Sequence, residues 1–296
     1  MISQPLAMST PQEVQDEVCT IFEMMEFSAM QGELRDTFSA VTSLYDGRWP
    51  GYHACDTPYH NIEHVMLVTL AMSRLLHGAF LDGHPMDDRA VLLSLVAALF
   101  HDTGLIRHHD DSEALGAELT SVHVNRSAAL ADAWIKERGA TAKERDFVAS
   151  LLFCTELEAS AEGVSFVSES QRYLGSLLKA ADLAGQVADL SYAAKLPLLA
   201  EELAVAEPES FGGTEVLIQG TPRFCRMVLE KLVVVSGRNL LSHSRSHFFH
   251  RFGIDADLYT EQIKRQIALL EELMENGIKG YWDYLETGGE NGLSAL

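Results

Sequence analysis

An all-α fold is what this sequence predicts. Three observations carry the prediction: apolar residues recur at helical spacing almost throughout, strand signals are sparse, and glycines and prolines cluster between the periodic segments. Near the N-terminus, Ser9-Thr10-Pro11 followed by Glu13 reads as a helix start, with Pro11 in the first turn. Residues 48–58 (RWPGYHACDTP) read as a loop feeding a helix from about Asn61 to His77, with Gly78 as its stop. A short loop (GHPMDD) leads to the most apolar helix, Arg89 to His101, closed by Gly104. Because it is apolar nearly all round, it is expected at the centre of the bundle. After a polar loop over residues 107–118, helices are expected at His123 to Arg138, Lys143 to Glu156, Glu169 to Gly185 and Leu190 to Ala206. The stretch Pro208 to Pro222 (PESFGGTEVLIQGTP) reads as a linker, followed by helices at Arg223 to Leu241 and Asp257 to Asn276 and by a Gly-rich tail. The economical organisation is a core with N-terminal helices over residues 1–207 and a helical extension over residues 208–296 packed on the same domain.

Composition narrows the function. The chain of 296 residues is 47% hydrophobic, enough to bury a large core without disulfides. Its 43 acidic against 22 basic residues give a formal charge of −21, which repels polyanions and anionic membrane surfaces at long range. Nucleic-acid polymers and membranes are therefore not expected partners. A small anion remains open, because a bound divalent cation reverses the local potential of a pocket. Cys19, Cys55, Cys154 and Cys225 are widely spaced and read as reduced thiols. The first residues lack a basic stretch followed by an apolar run, and the apolar window Val91 to Phe100 is about half of what a bilayer requires. The expected location is the cytoplasm.

Three short segments carry chemistry. Tyr59-His60-Asn61-Ile62-Glu63-His64 opens a helix and puts two imidazoles on one face, four residues apart. His101-Asp102 ends the most apolar helix, where an unpaired charge costs several kcal/mol by order of magnitude. Asp182 is a single acid in an apolar helical stretch, and a salt bridge to Lys179 is its bland alternative. Taken together, two histidines and two aspartates are nitrogen and oxygen ligands suited to Zn²⁺, Mn²⁺, Fe or Mg²⁺.

The order H…HD…D, with an apolar helix before the HD pair, resembles the signature of the HD superfamily of metal-dependent phosphohydrolases. More narrowly, YHNIEH is similar to the Tyr-His-Asn-x-x-His motif of cyclic nucleotide phosphodiesterase catalytic domains, and FHDTG to their Phe-His-Asp region; the resemblance runs over roughly residues 58–190. It implies a phosphodiesterase-like helical bundle that hydrolyses a phosphoester, a phosphodiester or nucleotide ahead of a monoester, through metal-activated water. It implies His64, His101, Asp102 and Asp182 as metal ligands, with Asp102 able to bridge two cations and His60 protonating the leaving oxygen. One or two divalent ions per chain are expected.

His123, in a segment similar to the His-x-x-x-Ser-Ala run of bacterial HD proteins, is a candidate for a second metal or the substrate. Arg126, Asn61 and Thr155 are further candidates. The chain lacks the second histidine and the Pro-Gly of the animal-type HD-x-D-H-P-G run, having Leu105-Ile106-Arg107 instead, and its clamping glutamine is open among Gln219, Gln262 and Gln266.

Glu63, Glu156 and Asp189 are candidates to orient the imidazoles. His108 and His109 read as a solvated loop, and His243, His247 and His250 as an exposed helix end. Three readings follow: a phosphohydrolase acting on a small phosphorylated or nucleotide substrate, a catalytically inactive HD module that signals by binding metal or nucleotide, and a plain helical interaction domain. A homodimer is compatible with each.

Overall fold

The computed structural model describes residues 4–8, 10–156, 163–275 and 277–288; Ser9, the expected helix end at Asn276 and most of the Gly-rich tail lie outside them. Among the described residues the fold is all-α. It comprises α1 (Pro11–Met24), α2 (Gln31–Tyr45), α3 (Ile62–Leu81), α4 (Asp88–Phe100), α5 (His123–Glu137), α6 (Ala142–Phe153), α7 (Glu169–Val187), α8 (Tyr192–Ala206), α9 (Thr214–Met227), α10 (His243–Phe252), α11 (Leu258–Glu275) and α12 (Ile278–Glu286).

The N-terminal signals work as read. Thr10 and Glu13 form a capping box at the start of α1, with Pro11 in the first turn. Asn61 and Asp87 cap α3 and α4 in the same way, their side-chain oxygens accepting backbone N–H groups of the first turn. Every residue of α4 from Val91 to Phe100 is buried, as expected of a helix with no polar face. α3 is the second central element, packed on α7, α10, α4 and α1. It is also the one described helix long and apolar enough to cross a bilayer, and 83% of that window is buried inside the protein.

Four expectations change. α3 runs past Gly78 to Leu81, because Gly78 marks a close approach rather than a stop: a Cβ there would lie 1.8 Å from the carbonyl oxygen of His243 in α10. The stretch 208–222 is mostly helix, since Ile218, Thr221, Pro222 and Cys225 form a buried stripe at i, i+3, i+4 and i+7 that overrides the breaker signals of Gly220 and Pro222. The helix expected over 223–241 stops instead at Met227. A π-helical turn, Val228–Leu232, follows, and then a hairpin pairing β1 (Val234–Val235) with β2 (Arg238–Asn239) around Ser236 and Gly237, both at positive φ. Finally, α12 forms beyond Gly277, where only a tail was expected.

The extension packs on the core: α10 lies on α3, α11 on α9 and α7, and one buried apolar cluster runs from Leu6 to Tyr284. This docking also overturns the reading of His243 and His247 as an exposed helix end; both are fully enclosed, and only His250 faces solvent. His243 donates or accepts between the Asp82 carboxylate and the Tyr173 hydroxyl, 2.6 Å from the latter.

His77 of α3 and His247 of α10 meet Nδ1 to Nδ1 at 2.9 Å, and both Nε2 atoms are buried without a partner. Burial, then the neighbouring His250, pulls His77 down to about 4. Burial, then Arg74, His77, Arg251 and His250, holds His247 well below the usual imidazole range; Arg251 is itself paired with Glu17 of α1. In the unfolded chain both titrate near ~6.5, so below that pH the unfolded state binds more protons than the folded one. The stability from neutral His77 is fully present above about pH 6.5 and is lost as pH falls toward 4, on the order of 2–3 kcal/mol for this residue, and His247 acts in the same direction. The urea midpoint is expected to drop accordingly between pH 7 and pH 4.5, and to drop less in a His77→Gln variant.

Candidate metal centre

The loop before α3 is tied down at several points, and this sets where His60 and His64 emerge. The backbone N–H of Cys55 donates to the Tyr45 carbonyl at the end of α2 (2.9 Å), and that of His53 to Arg107 (2.9 Å). The Thr57 hydroxyl donates to the His60 carbonyl (2.8 Å), and the Asn61 amide bonds both the Pro58 carbonyl (2.9 Å) and the N–H of Glu63 (2.9 Å). His60 and His64 then stand on adjacent turns, their ring centroids 5.3 Å apart.

α4 delivers the next pair. Ser127 of α5 donates to the His101 carbonyl (2.6 Å) and accepts the N–H of Gly104 (2.8 Å), clamping the turn that holds Asp102. Gly104 permits that contact, since a Cβ there would lie 1.9 Å from the His123 carbonyl oxygen. Asp182 arrives on α7, which approaches α3 closely because Gly185, one turn later, faces the Val68 backbone with 2.9 Å available to a Cβ. The helix end expected at Gly185 is therefore a packing position, and α7 continues to Val187.

Four ligand atoms converge. His101 Nε2 lies 3.1 Å from Asp102 Oδ2, 3.6 Å from Asp182 Oδ1 and 3.3 Å from His64 Nε2. His64 Nε2 lies 3.5 Å from both Asp102 Oδ2 and Asp182 Oδ1. Cation–ligand bonds of about 2.0–2.2 Å place neighbouring donors about 2.9–3.6 Å apart, so these separations suit a shared divalent ion.

The tautomers agree with that fit. His101 Nδ1 donates to the Ala98 carbonyl (2.8 Å), so in the neutral form of the ring the Nε2 lone pair would face Asp102 Oδ2, a buried oxygen that accepts no hydrogen bond. Two lone pairs at this distance repel unless a positive charge lies between them. Without a metal the charge is a proton. Burial opposes it, but the Asp102 carboxylate and then Asp182 push His101 up to about 9, while against the same burial His101, His60 and His64 hold the Asp102 carboxyl well below its usual range.

The centre opens to solvent on one side. His64, His101 and Asp102 are buried, whereas the side chains of Asp182, His60 and His123 are 21%, 30% and 23% exposed. His123 Nδ1 donates to the Thr120 carbonyl (2.5 Å), and its Nε2 lies 3.7 Å from Asp102 Oδ1, the oxygen turned away from the first group.

A profile of the Npun_R2479-like family matches residues 48–224, more than half of the chain. The chain belongs to that family. No curated protein and no solved structure matches it. The span shared with the Npun_R2479-like family contains every ligand candidate, together with the loop before α3 and the close helix contacts that position them.

Other candidates have different occupations. Arg126, a candidate for a second metal or the substrate, clamps the turn after Asp102: it donates to the Gly104 and Ile106 carbonyls and makes a two-pronged pair with Asp111. Asn61 is committed at both ends to the α3 cap. Thr155 lies beyond the end of α6, not within it, and returns its hydroxyl to the Leu152 carbonyl. Gln219 is exposed, while Gln262 and Gln266 are buried in α11, with Gln266 donating to the Asp189 carbonyl. Lys179, one turn before Asp182, donates to the Glu156 carbonyl.

The orienting acid is also not among those expected. Glu63 and Asp189 both pair with Lys195, and His60 is held instead by Glu202 of α8, whose Oε2 lies 2.5 Å from His60 Nδ1 while Oε1 accepts the N–H groups of Tyr59 and His60. A signal existed: Glu202 follows Leu199 by three residues on the buried stripe of α8. Burial opposes charge on His60, but the Glu202 hydrogen bond and the carboxylates of Asp102 and Asp182 raise its pKa overall.

Proposed function

We propose that this protein is a metal-dependent phosphohydrolase of the HD type, acting on a small phosphodiester or nucleotide. The observation that carries the proposal is the convergence of Asp102 Oδ2 and Asp182 Oδ1 on His64 Nε2 and His101 Nε2, each carboxylate oxygen within 3.6 Å of both imidazole nitrogens, beside an imidazole backed by a buried carboxylate. A divalent ion held there would acidify a bound water and offset charge on the phosphoryl oxygens. Asp102, through Oδ1 and with His123, could hold a second.

The chain's own groups supply the rest. Glu202 favours the protonated form of His60 and fixes its ring, so that Nε2 is the donor toward the leaving oxygen. Three nearby cations are engaged with carboxylates, Arg126 with Asp111, Arg107 with Asp56, and Lys195 with Glu63 and Asp189, and Lys179 donates to the Glu156 carbonyl. In a protein of charge −21, the substrate's negative charge is therefore balanced by bound metal and by His60.

Protein loaded with Mn²⁺ is expected to hydrolyse bis(p-nitrophenyl) phosphate or one of a panel of cyclic nucleotides, nucleoside monophosphates and dinucleotides. Glu202→Gln should lower kcat by about 10–100-fold. It should also move the alkaline limb of the kcat profile to lower pH, because His60 must be protonated to act and loses the partner that raises its pKa. Stoichiometric metal with no turnover of any of these substrates would instead indicate a binding module.

A further inference from the structure

We propose that a cleft between α3, α7 and α11 binds a short-chain carboxylate, with the Arg74 guanidinium as its cationic partner. The cleft has a volume of about 240 Å³ and is partly open to solvent. It is lined by Leu67, Leu70 and Arg74 of α3, by Ala184 and Ala188 at the end of α7, and by Tyr259 of α11. Arg74 follows His64 by ten residues, about 15 Å along the helix axis, so its charge sits well away from the metal centre.

Arg74 is 1% exposed, yet among the described residues no carboxylate pairs with it. One N–H on Nη1 reaches the Tyr259 hydroxyl oxygen (3.3 Å) and one on Nη2 the Pro5 carbonyl, while the Nε–H is buried without a partner. The face of Phe248, 5.3 Å from the guanidinium carbon, offsets only part of the charge. Two acids in this region are taken. Asp189, which also lines the cleft, accepts from the Ser191 N–H (2.9 Å) and from Lys195 (2.7 Å), and Glu17 pairs with Arg251. An arginine cannot discard its proton as a buried lysine can, so the charge persists. A purely structural side chain at this position would be better served by methionine, which fills similar space without a buried cation lacking its counter-charge.

A carboxylate supplies what is missing. Its two oxygens match the planar fork of N–H donors and bring the counter-charge. The Tyr259 hydroxyl adds a second donor: it accepts from Arg74, its own proton has no acceptor among the described residues, and burial keeps the phenol protonated. The leucine and alanine walls suit a short hydrocarbon tail. The volume lies below the ~300–1,000 Å³ of pockets that enclose drug-sized ligands, which excludes a nucleotide. A single arginine beside Asp189 also favours a monoanion over a dianion such as phosphate.

Calorimetric titration of sodium butyrate into the metal-free full chain, in a carboxylate-free buffer at constant ionic strength, tests this. Wild type is expected to bind butyrate and to melt at a higher temperature in its presence. Arg74→Met should lose that binding by more than about 100-fold, and without butyrate should melt at the wild-type temperature or above. Tyr259→Phe should weaken binding about tenfold, and it decides the matter if Arg74→Met does not fold. Butyrate affinity unchanged in either variant, or no binding by wild type, would overturn the proposal. Chloride bound as tightly as butyrate would also defeat it, since the cleft would then recognise charge alone. None of these readouts involves metal or hydrolysis, so the result stands apart from the phosphohydrolase reading.

Discussion

Asp102→Asn is expected to reduce hydrolysis more than about 1,000-fold and to abolish stoichiometric metal retention. The size of the effect follows from position. Asp102 alone offers one oxygen to the His64–His101–Asp182 group and the other toward His123, so a single change removes a ligand from both sides. An amide also cannot supply the negative charge that offsets a cation in a buried site. The substitution has a second readout that needs no metal. His101 is held up to about 9 chiefly by the Asp102 carboxylate against the opposing effect of burial, so in Asp102→Asn its pKa should fall, which an imidazole NMR titration would detect. Activity and metal content equal to wild type would exclude Asp102 as a ligand, and the proposed chemistry with it.

Gly104→Ala should destabilise the protein by about 3 kcal/mol and weaken metal binding along with it. The added methyl would lie 1.9 Å from the His123 carbonyl oxygen and 2.8 Å from Arg126 Cβ, so α5 must move away from the turn that carries Asp102. That movement breaks the Ser127 clamp and the Arg126 bonds to Gly104 and Ile106. Gly220→Ala is the control: it lies within α9, a Cβ there meets nothing within 4 Å, and the exchange should stabilise by about 0.5–1 kcal/mol through helix propensity. Denaturant melts of the two variants should therefore move in opposite directions. A neutral Gly104→Ala would show that α5 and the turn pack less closely than the structure has them.

The four ligand candidates and His60 were legible because each is marked by local context. His60 and His64 share a face through their spacing of four, and His101, Asp102 and Asp182 are polar groups in otherwise apolar helical stretches. Glu202 carries a weaker mark. Glu202 lies beside an exposed Glu201 in an ordinary helix, and its partner is 142 residues away in sequence. The hairpin at 234–239 was missed for a related reason: the run Val233-Val234-Val235 before Ser236-Gly237 carries turn and strand signals too short to outweigh the helical pattern on either side.

Sequence by itself determined what depends on neighbours within about one helical turn: the all-α class, the caps at Thr10, Asn61 and Asp87, the buried character of α4, and the residue types of the centre. Tertiary structure alone decided which of those residues meet. Gly78, Gly104 and Gly185 all looked like helix stops, yet each is a point where two backbones come too close for a Cβ. Periodicity describes one face of one helix and carries no information about what will be packed against it. The partner of a half-buried group, as Glu202 is for His60, is set when helices distant in sequence close on a common core.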